Sequence, residues 1–143
     1  MKKLVLVLLA PLLMATQCNI DDDLIPVVEI AEETLIGRWN LVGFEGLVLY
    51  EFTEDKRYTF YASPSEGIEF GTLEALIAAG STGLDYWYEG ELVTIDLNFG
   101  NTSTLTPVFK CNNFVVEWVN DDSELHSIIF REGYDFAECS TIN

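Results

Sequence analysis

Basic side chains are scarce in this sequence: seven Lys and Arg stand against 24 Asp and Glu, and the formal net charge is −17. Nucleic-acid binding depends on basic patches that contact phosphates, so this composition excludes that function. It also argues against docking of the protein's own surface on anionic lipid head groups. Any attachment to a membrane must therefore come from another feature of the chain.

Histidine is rarer still, with His126 as its single occurrence. A metal site built on two histidines is therefore impossible, and neither a Ser/His/Asp spacing nor a Gly-rich phosphate loop is present. The acidic segments Asp21–Asp23 and Asn120–Glu124 lack the glycine and the acid spacing of a calcium loop. We predict no catalytic residue, no metal and no cofactor, and we expect most carboxylates at strand ends and turns.

Long apolar runs are limited to one segment, Leu4–Met14, which holds eleven residues and is interrupted by Pro11. A membrane-spanning helix needs about 20 apolar residues, so this segment is too short to span comfortably. Lys2 and Lys3 precede it and small residues follow it, which is the layout of a cleaved export signal. We therefore predict a signal peptide over residues 1–17.

The residues Met14-Ala15-Thr16-Gln17-Cys18 resemble a bacterial lipobox, with Gln17 in place of the usual Gly, Ala or Ser. The resemblance implies that the Cys18 thiol receives a diacylglyceryl group and becomes the first mature residue. The protein would then be held at a membrane by its lipid. The alternative is an ordinary secretory signal that leaves Cys18 free or disulfide-bonded.

Residues 18–34 are acidic and include Asp21–Asp23, so we predict a flexible tether between the lipid and the domain. An acidic cluster directly behind a lipidated cysteine is similar to the surface-export signal of Bacteroidota lipoproteins. This similarity implies an outer-membrane lipoprotein exposed at the cell surface. The alternatives are a solvated linker without a sorting role and a periplasm-facing protein.

Cysteine occurs only three times, so the thiols cannot all pair within one chain. If Cys18 is acylated, Cys111 and Cys139 remain, and export places them in an oxidising compartment where a disulfide persists. We predict that bridge, which would tie the C-terminal tail to a strand. Two unpaired, buried thiols are the alternative.

Apolar and aromatic side chains are abundant, at 49% and 13% of residues, which is enough for one packed domain. From Leu35 onward apolar residues alternate with period two between short turn segments, which predicts strands. Eight such strands predict an all-β, antiparallel up-and-down meander that closes into a barrel, with a β-sandwich as the alternative. One short helix is predicted at Thr72–Ala79. The predicted strands are Gly37–Glu45, Leu47–Thr53, Arg57–Ala62, Leu84–Glu89, Leu92–Phe99, Thr102–Cys111, Phe114–Val119 and Leu125–Arg131.

The second and third predicted strands are rich in aromatic residues. Val48, Tyr50 and Phe52 share one face by alternation, and Tyr58 and Phe60 share another. We expect these two faces to meet across the hairpin.

The segment Leu35–Val42 contains a Gly-x-Trp element ending at Trp39 and resembles the opening of lipocalin-like domains. The segments Tyr50–Thr53, Tyr58–Phe60 and Tyr86–Leu92 are also similar to small lipocalin-like lipoproteins of Bacteroidota. The resemblance implies a lipocalin-like barrel over residues 35–143, with the tryptophan filling its base.

Large rings in such a barrel can line a cavity for an apolar small molecule, or they can simply fill the core. The candidate ligand-binding residues are Trp39, Tyr58, Phe60, Tyr86 and Trp118. The helix Thr72–Ala79 is the candidate cap over one mouth of a cavity.

We therefore predict a monomeric, non-catalytic protein that binds a small apolar molecule. The alternative is an interaction module that contacts protein or glycan at the cell surface through its loops or its acidic face. An enzyme ranks third, because the sequence identifies no set of catalytic groups.

Overall fold

A computed structural model describes residues 31–139, and within them eight antiparallel strands close into a barrel. Each strand pairs with the next along the chain, and the last returns to pair with the first. This closure confirms the predicted meander barrel over the β-sandwich. The strands are β1 (Gly37–Leu41), β2 (Val48–Phe52), β3 (Lys56–Tyr61), β4 (Leu84–Glu89), β5 (Leu92–Asp96), β6 (Thr102–Lys110), β7 (Val115–Val119) and β8 (Leu125–Arg131).

Two strands end three or more residues earlier than predicted, because turn conformations interrupt them. β1 ends at Leu41, whose carbonyl oxygen accepts from the backbone N–H of Phe44 in the following turn. β5 ends at Asp96, since Asn98 and Phe99 both take a positive φ in the turn to β6. Neither difference changes the order or the pairing of the strands.

The helical segments are short. α1 (Leu73–Ala78) matches the predicted helix, and its N-cap is Thr72, whose Oγ1 accepts from the backbone N–H of Ala75 at 3.3 Å. A 3₁₀ turn at Pro64–Glu66 and a one-turn helix α2 (Phe136–Cys139) were not predicted. Segments of three and four residues are too short for an amphipathic period to be visible in sequence.

The two ends of the barrel differ in what lies across them. The closed end carries the β2–β3, β4–β5 and β6–β7 turns and receives the chain segment 31–36. Leu35 is fully buried there, and Arg131 donates hydrogen bonds to the carbonyl oxygens of Glu32 and Thr34. The open end carries the other connections, among them the long segment between β3 and β4 that holds α1.

Residues 31–34 belong to the folded domain. The backbone N–H of Ala31 donates to the carbonyl oxygen of Asn112, and the Asn113 side chain donates to the carbonyl oxygen of Ala31. The last four residues of the predicted tether 18–34 are therefore part of the closed end. The predicted signal peptide 1–17 and the predicted lipid site Cys18 lie outside the described residues.

The register of the β2–β3 hairpin differs from the prediction by one residue. Leu49 pairs with Phe60 and Glu51 with Tyr58, whereas Phe52 pairs with Arg57. Directly paired residues share a face, so Tyr58 and Phe60 do not meet the face of Tyr50 and Phe52. The turn sets this register, because Thr53 and Lys56 bond to each other and make Phe52 and Arg57 the next pair.

Helix α2 is tied to the turn between β6 and β7 by Cys111 and Cys139, which lie at disulfide-bonding distance with 5.4 Å between their Cα atoms. This is the cysteine pairing predicted from the sequence. Stacked rings accompany the link: Phe130 of β8 lies 5.3 Å from Phe136 of α2, centroid to centroid. The short C-terminal helix thus covers the outer face of β8.

Candidate functional site

The barrel interior is mostly filled, but a cavity of about 200 Å³ remains toward the open end. It lies between β2 and β3 on one side and β5 to β8 on the other. Its apolar lining consists of Tyr50, Phe52, Ile95, Leu97, Leu105 and Trp118. The rest of the interior is a packed cluster that contains Leu35, Trp39, Tyr86, Val93, Val116 and Ile129.

Trp118 is the one predicted ligand-binding residue that lines this cavity. Its ring stacks on Phe52 with 6.4 Å between the centroids, and Phe52 makes an edge contact of 5.3 Å with Tyr86. Tyr86 therefore lies behind the cavity wall. Trp39 is fully buried in the packed cluster and, with Leu35, fills the closed end.

Tyr58 and Phe60, the other two predicted ligand-binding residues, face away from the interior. With Leu49 they form a separate cluster on the outer face of β2 and β3, where Leu73 and Leu76 of α1 pack against them. The helix consequently covers the outside of the barrel wall, and the prediction that it caps a cavity mouth is wrong. The one-residue difference in register is the reason, because it turns both rings outward.

The side chain of Tyr86 is buried behind the cavity wall, and its hydroxyl has a hydrogen-bond partner within the protein. It donates to the carbonyl oxygen of Thr53 at 2.5 Å, and burial raises the pKa of Tyr86 to about 12. The phenol therefore stays neutral at any physiological pH and remains a hydrogen-bond donor. It fixes the ring that supports Phe52.

The polar lining of the cavity consists of Arg57, Ser103, His126 and Ser127, with no Asp or Glu among the described lining residues. The Nδ1 atom of His126 lies 3.2 Å from the Oγ atom of Ser127. A Ser/His pair needs a third group that orients the histidine before it can act as a nucleophile and base. The described lining includes no carboxylate that could orient His126.

Sequence reasoning missed Arg57. The polar residues of β3 alternate with Tyr58 and Phe60, and a polar strand face normally points to solvent. In this barrel the aromatic face of β3 lies under α1, so its polar face turns inward. An arginine inside an aromatic-rich strand was the available signal, but only the register of the hairpin shows which way it points.

A second depression, of about 620 Å³, lies beside the closed end between the segment 31–36 and the β4–β5 turn. Its charged lining residues are the carboxylates of Glu33 and Glu91. It is larger than the interior cavity but lies at the surface, and it offers no positive charge. The interior cavity is therefore the stronger candidate site.

In comparisons with protein-family models, curated proteins and solved structures, the chain matched none. Over residues 31–139, no helix is long and apolar enough to cross a membrane. The same part of the chain contains no group of three or more His, Cys, Asp or Glu side chains that could hold a metal ion.

Proposed function

We propose that this protein is a cell-envelope lipoprotein whose lipocalin-like barrel binds a small, largely apolar molecule without catalysis. The observation that supports the binding function is the cavity of about 200 Å³ in an otherwise packed interior. The cavity is partly open to solvent, and Leu97 in its lining is 43% exposed, so a small molecule can enter it. A concave site with mostly apolar walls and a few polar groups is the usual form of a small-molecule site.

The size of the cavity limits the size of the ligand. Sites for drug-sized molecules usually measure about 300–1,000 Å³. The cavity here is smaller, so the occupant is a compact molecule or one end of a longer one. Short aliphatic and single-ring compounds are the matching size class.

Saturable binding of a small probe tests this function. We expect hexanol or hexanoate to shift the indole N–H signal of Trp118 in ¹⁵N-resolved NMR spectra of the full chain. The signal of Trp87, which lies on the outer face of β4 and is 39% exposed, is the internal reference and should not move. Binding should also raise the melting temperature, since a ligand of the folded state stabilises it.

Two phenylalanine variants on one strand provide the matched control. Ser103→Phe places a ring in the cavity and should abolish the shift of Trp118, whereas Thr102→Phe points outward from the adjacent position and should leave it intact. If neither probe moves the Trp118 signal in the unmodified protein, the binding function is wrong.

The rim of the open end favours a second candidate function, the binding of a protein or glycan at the cell surface. Its turns and strand ends expose large apolar side chains, and Phe99 is fully exposed at the tip of the β5–β6 turn. These residues are Phe44, Leu47, Tyr61, Leu97, Phe99 and Leu125. This function would be favoured over the first if no small probe bound in the cavity and the protein bound a partner that the Phe99→Ser variant did not bind.

The envelope location depends on Cys18, so Cys18→Ala should move the protein from the membrane fraction to the soluble fraction. Two acyl chains give stable membrane residence at about 0.8 kcal/mol per buried CH₂, and the variant has none. Asn19→Ala keeps the thiol and should stay membrane-bound. Continued membrane association of Cys18→Ala would contradict lipidation, and protease treatment of intact cells separates a surface-exposed from a periplasm-facing protein.

A further inference from the structure

Arg57 is the one charged residue among the described lining of the cavity. Its pairing with Phe52 places it on the inward face of β3. The guanidinium carbon lies 4.8 Å from the centroid of the Tyr50 ring, so the charge sits against the aromatic wall. Burial lowers the pKa of Arg57, but a guanidinium keeps its charge at neutral pH.

The guanidinium of Arg57 has no anionic partner in residues 31–139. Its Nε atom is buried without a hydrogen-bond partner, and its side chain makes neither a hydrogen bond nor an ion pair with that part of the chain. The contact with Tyr50 only partly replaces the lost hydration. Arg57 is half-buried, and the described residues supply no anion for its guanidinium, so its donors are available to an anionic ligand in the cavity.

The other two arginines of the chain are compensated. The Nε atom of Arg38 is also buried, but it lies 3.6 Å from a carboxylate oxygen of Glu51, and another Arg38 nitrogen lies 3.3 Å from Glu132. Arg131 donates to several carbonyl oxygens at the closed end. Among the residues that the structure describes, Arg57 is thus the arginine without a carboxylate or carbonyl partner.

Resting on the proposed function, we propose that the cavity ligand is a small organic monocarboxylate whose carboxylate pairs with Arg57. Its apolar body would pack against Phe52, Leu105 and Trp118, all of which line the same cavity. Arginine binds carboxylates through two parallel hydrogen bonds, which gives direction as well as energy. Arg57 supplies one positive charge, which a monocarboxylate neutralises. A dianion would bring a second negative charge that has no partner among the described lining residues.

Three probes of equal length and different charge test the inference: hexanoate, hexanol and hexylamine. By calorimetric titration of the full chain at pH 7.4, hexanoate should bind roughly 10- to 100-fold more tightly than hexanol, since a charged hydrogen bond is lost with the alcohol. Hexylamine should bind more weakly than hexanol, because its ammonium faces Arg57.

Arg57→Gln should remove the preference for hexanoate and leave hexanol binding nearly unchanged. Arg57→Lys keeps the charge but not the planar fork, so it should retain part of the preference. Arg38→Gln on the outer face removes an equal charge outside the cavity and should bind all three probes like the unmodified protein. Because Arg57 makes neither a hydrogen bond nor an ion pair within the described residues, the glutamine variant loses only the contact with Tyr50 and should melt close to the unmodified protein.

The outcomes separate this inference from the proposed function. Equal affinities of the unmodified protein for hexanoate and hexanol would overturn the inference and leave the binding function standing, as would an unchanged preference in Arg57→Gln. Absence of binding by both probes would overturn both. The preference of the unmodified protein is decisive even if a variant fails to fold.

Discussion

Replacing Trp39 with alanine is expected to lower the free energy of unfolding by about 3–5 kcal/mol, the range for truncating a large buried ring. The side chain of Trp39 is fully buried, as is that of Leu35 beside it. Its indole N–H donates to the carbonyl oxygen of Leu35 at 2.6 Å, and the guanidinium carbon of Arg131 lies 4.5 Å from the ring centroid. One side chain therefore joins three parts of the closed end.

The measurement is urea unfolding followed by far-ultraviolet circular dichroism, with Trp87→Ala as the control. Trp87 lies on the outer face of β4 and is 39% exposed, so its truncation should cost about 1 kcal/mol or less. Trp39→Phe keeps an aromatic ring but loses the N–H donor, so its loss of unfolding free energy should lie between those of the two alanine variants. Equal losses for the Trp39 and Trp87 alanine variants would contradict the assigned role of Trp39.

The barrel could be predicted from local patterns in the sequence. Period-two alternation marked the strands, and Gly, Asn and Asp clusters such as Gly90-Glu91 marked the turns between them. Apart from the long segment between β3 and β4, the connections are short and leave each strand beside its neighbour, so the order in the barrel equals the order in the chain. The start of α1 was also visible, because Thr72 has the chemistry of an N-cap.

The direction in which the two faces of β3 point could not be predicted, because residues of either face could be covered by another part of the protein. Its aromatic residues, Tyr58 and Phe60, lie under α1, and its polar residues point inward. Alternation shows that two faces differ but not which one a distant helix will cover. A one-residue change in the turn reverses the assignment of every side chain on the strand.

The candidate site was likewise predicted only in part. Trp118 was identified because large rings in a barrel tend to be internal, and it does line the cavity. Arg57 was missed because an inward-facing charge conflicts with the pattern that builds the core. Such conflicts between the local pattern and the position of a residue are expected where binding rather than stability determines which residue is present.

Replacing Cys111 and Cys139 together with serine is expected to lower the free energy of unfolding by about 3–4 kcal/mol. The two residues are 28 positions apart, and opening a loop of that length increases the conformational freedom of the unfolded chain by this amount. The folded state also loses the link that holds α2 against the barrel. The stack of Phe136 on Phe130 would then be held by its own contact alone.

Reduction of the unmodified protein provides the matched comparison for the double serine variant. With a reductant present, its denaturant midpoint should fall to about that of the variant, whereas the variant itself should not respond. The barrel should remain folded in both cases, since the ladder between β8 and β1 closes it without the bridge. If reduction left the midpoint of the unmodified protein unchanged, the bridge would not be formed in solution, and the position of α2 would depend on ring packing alone.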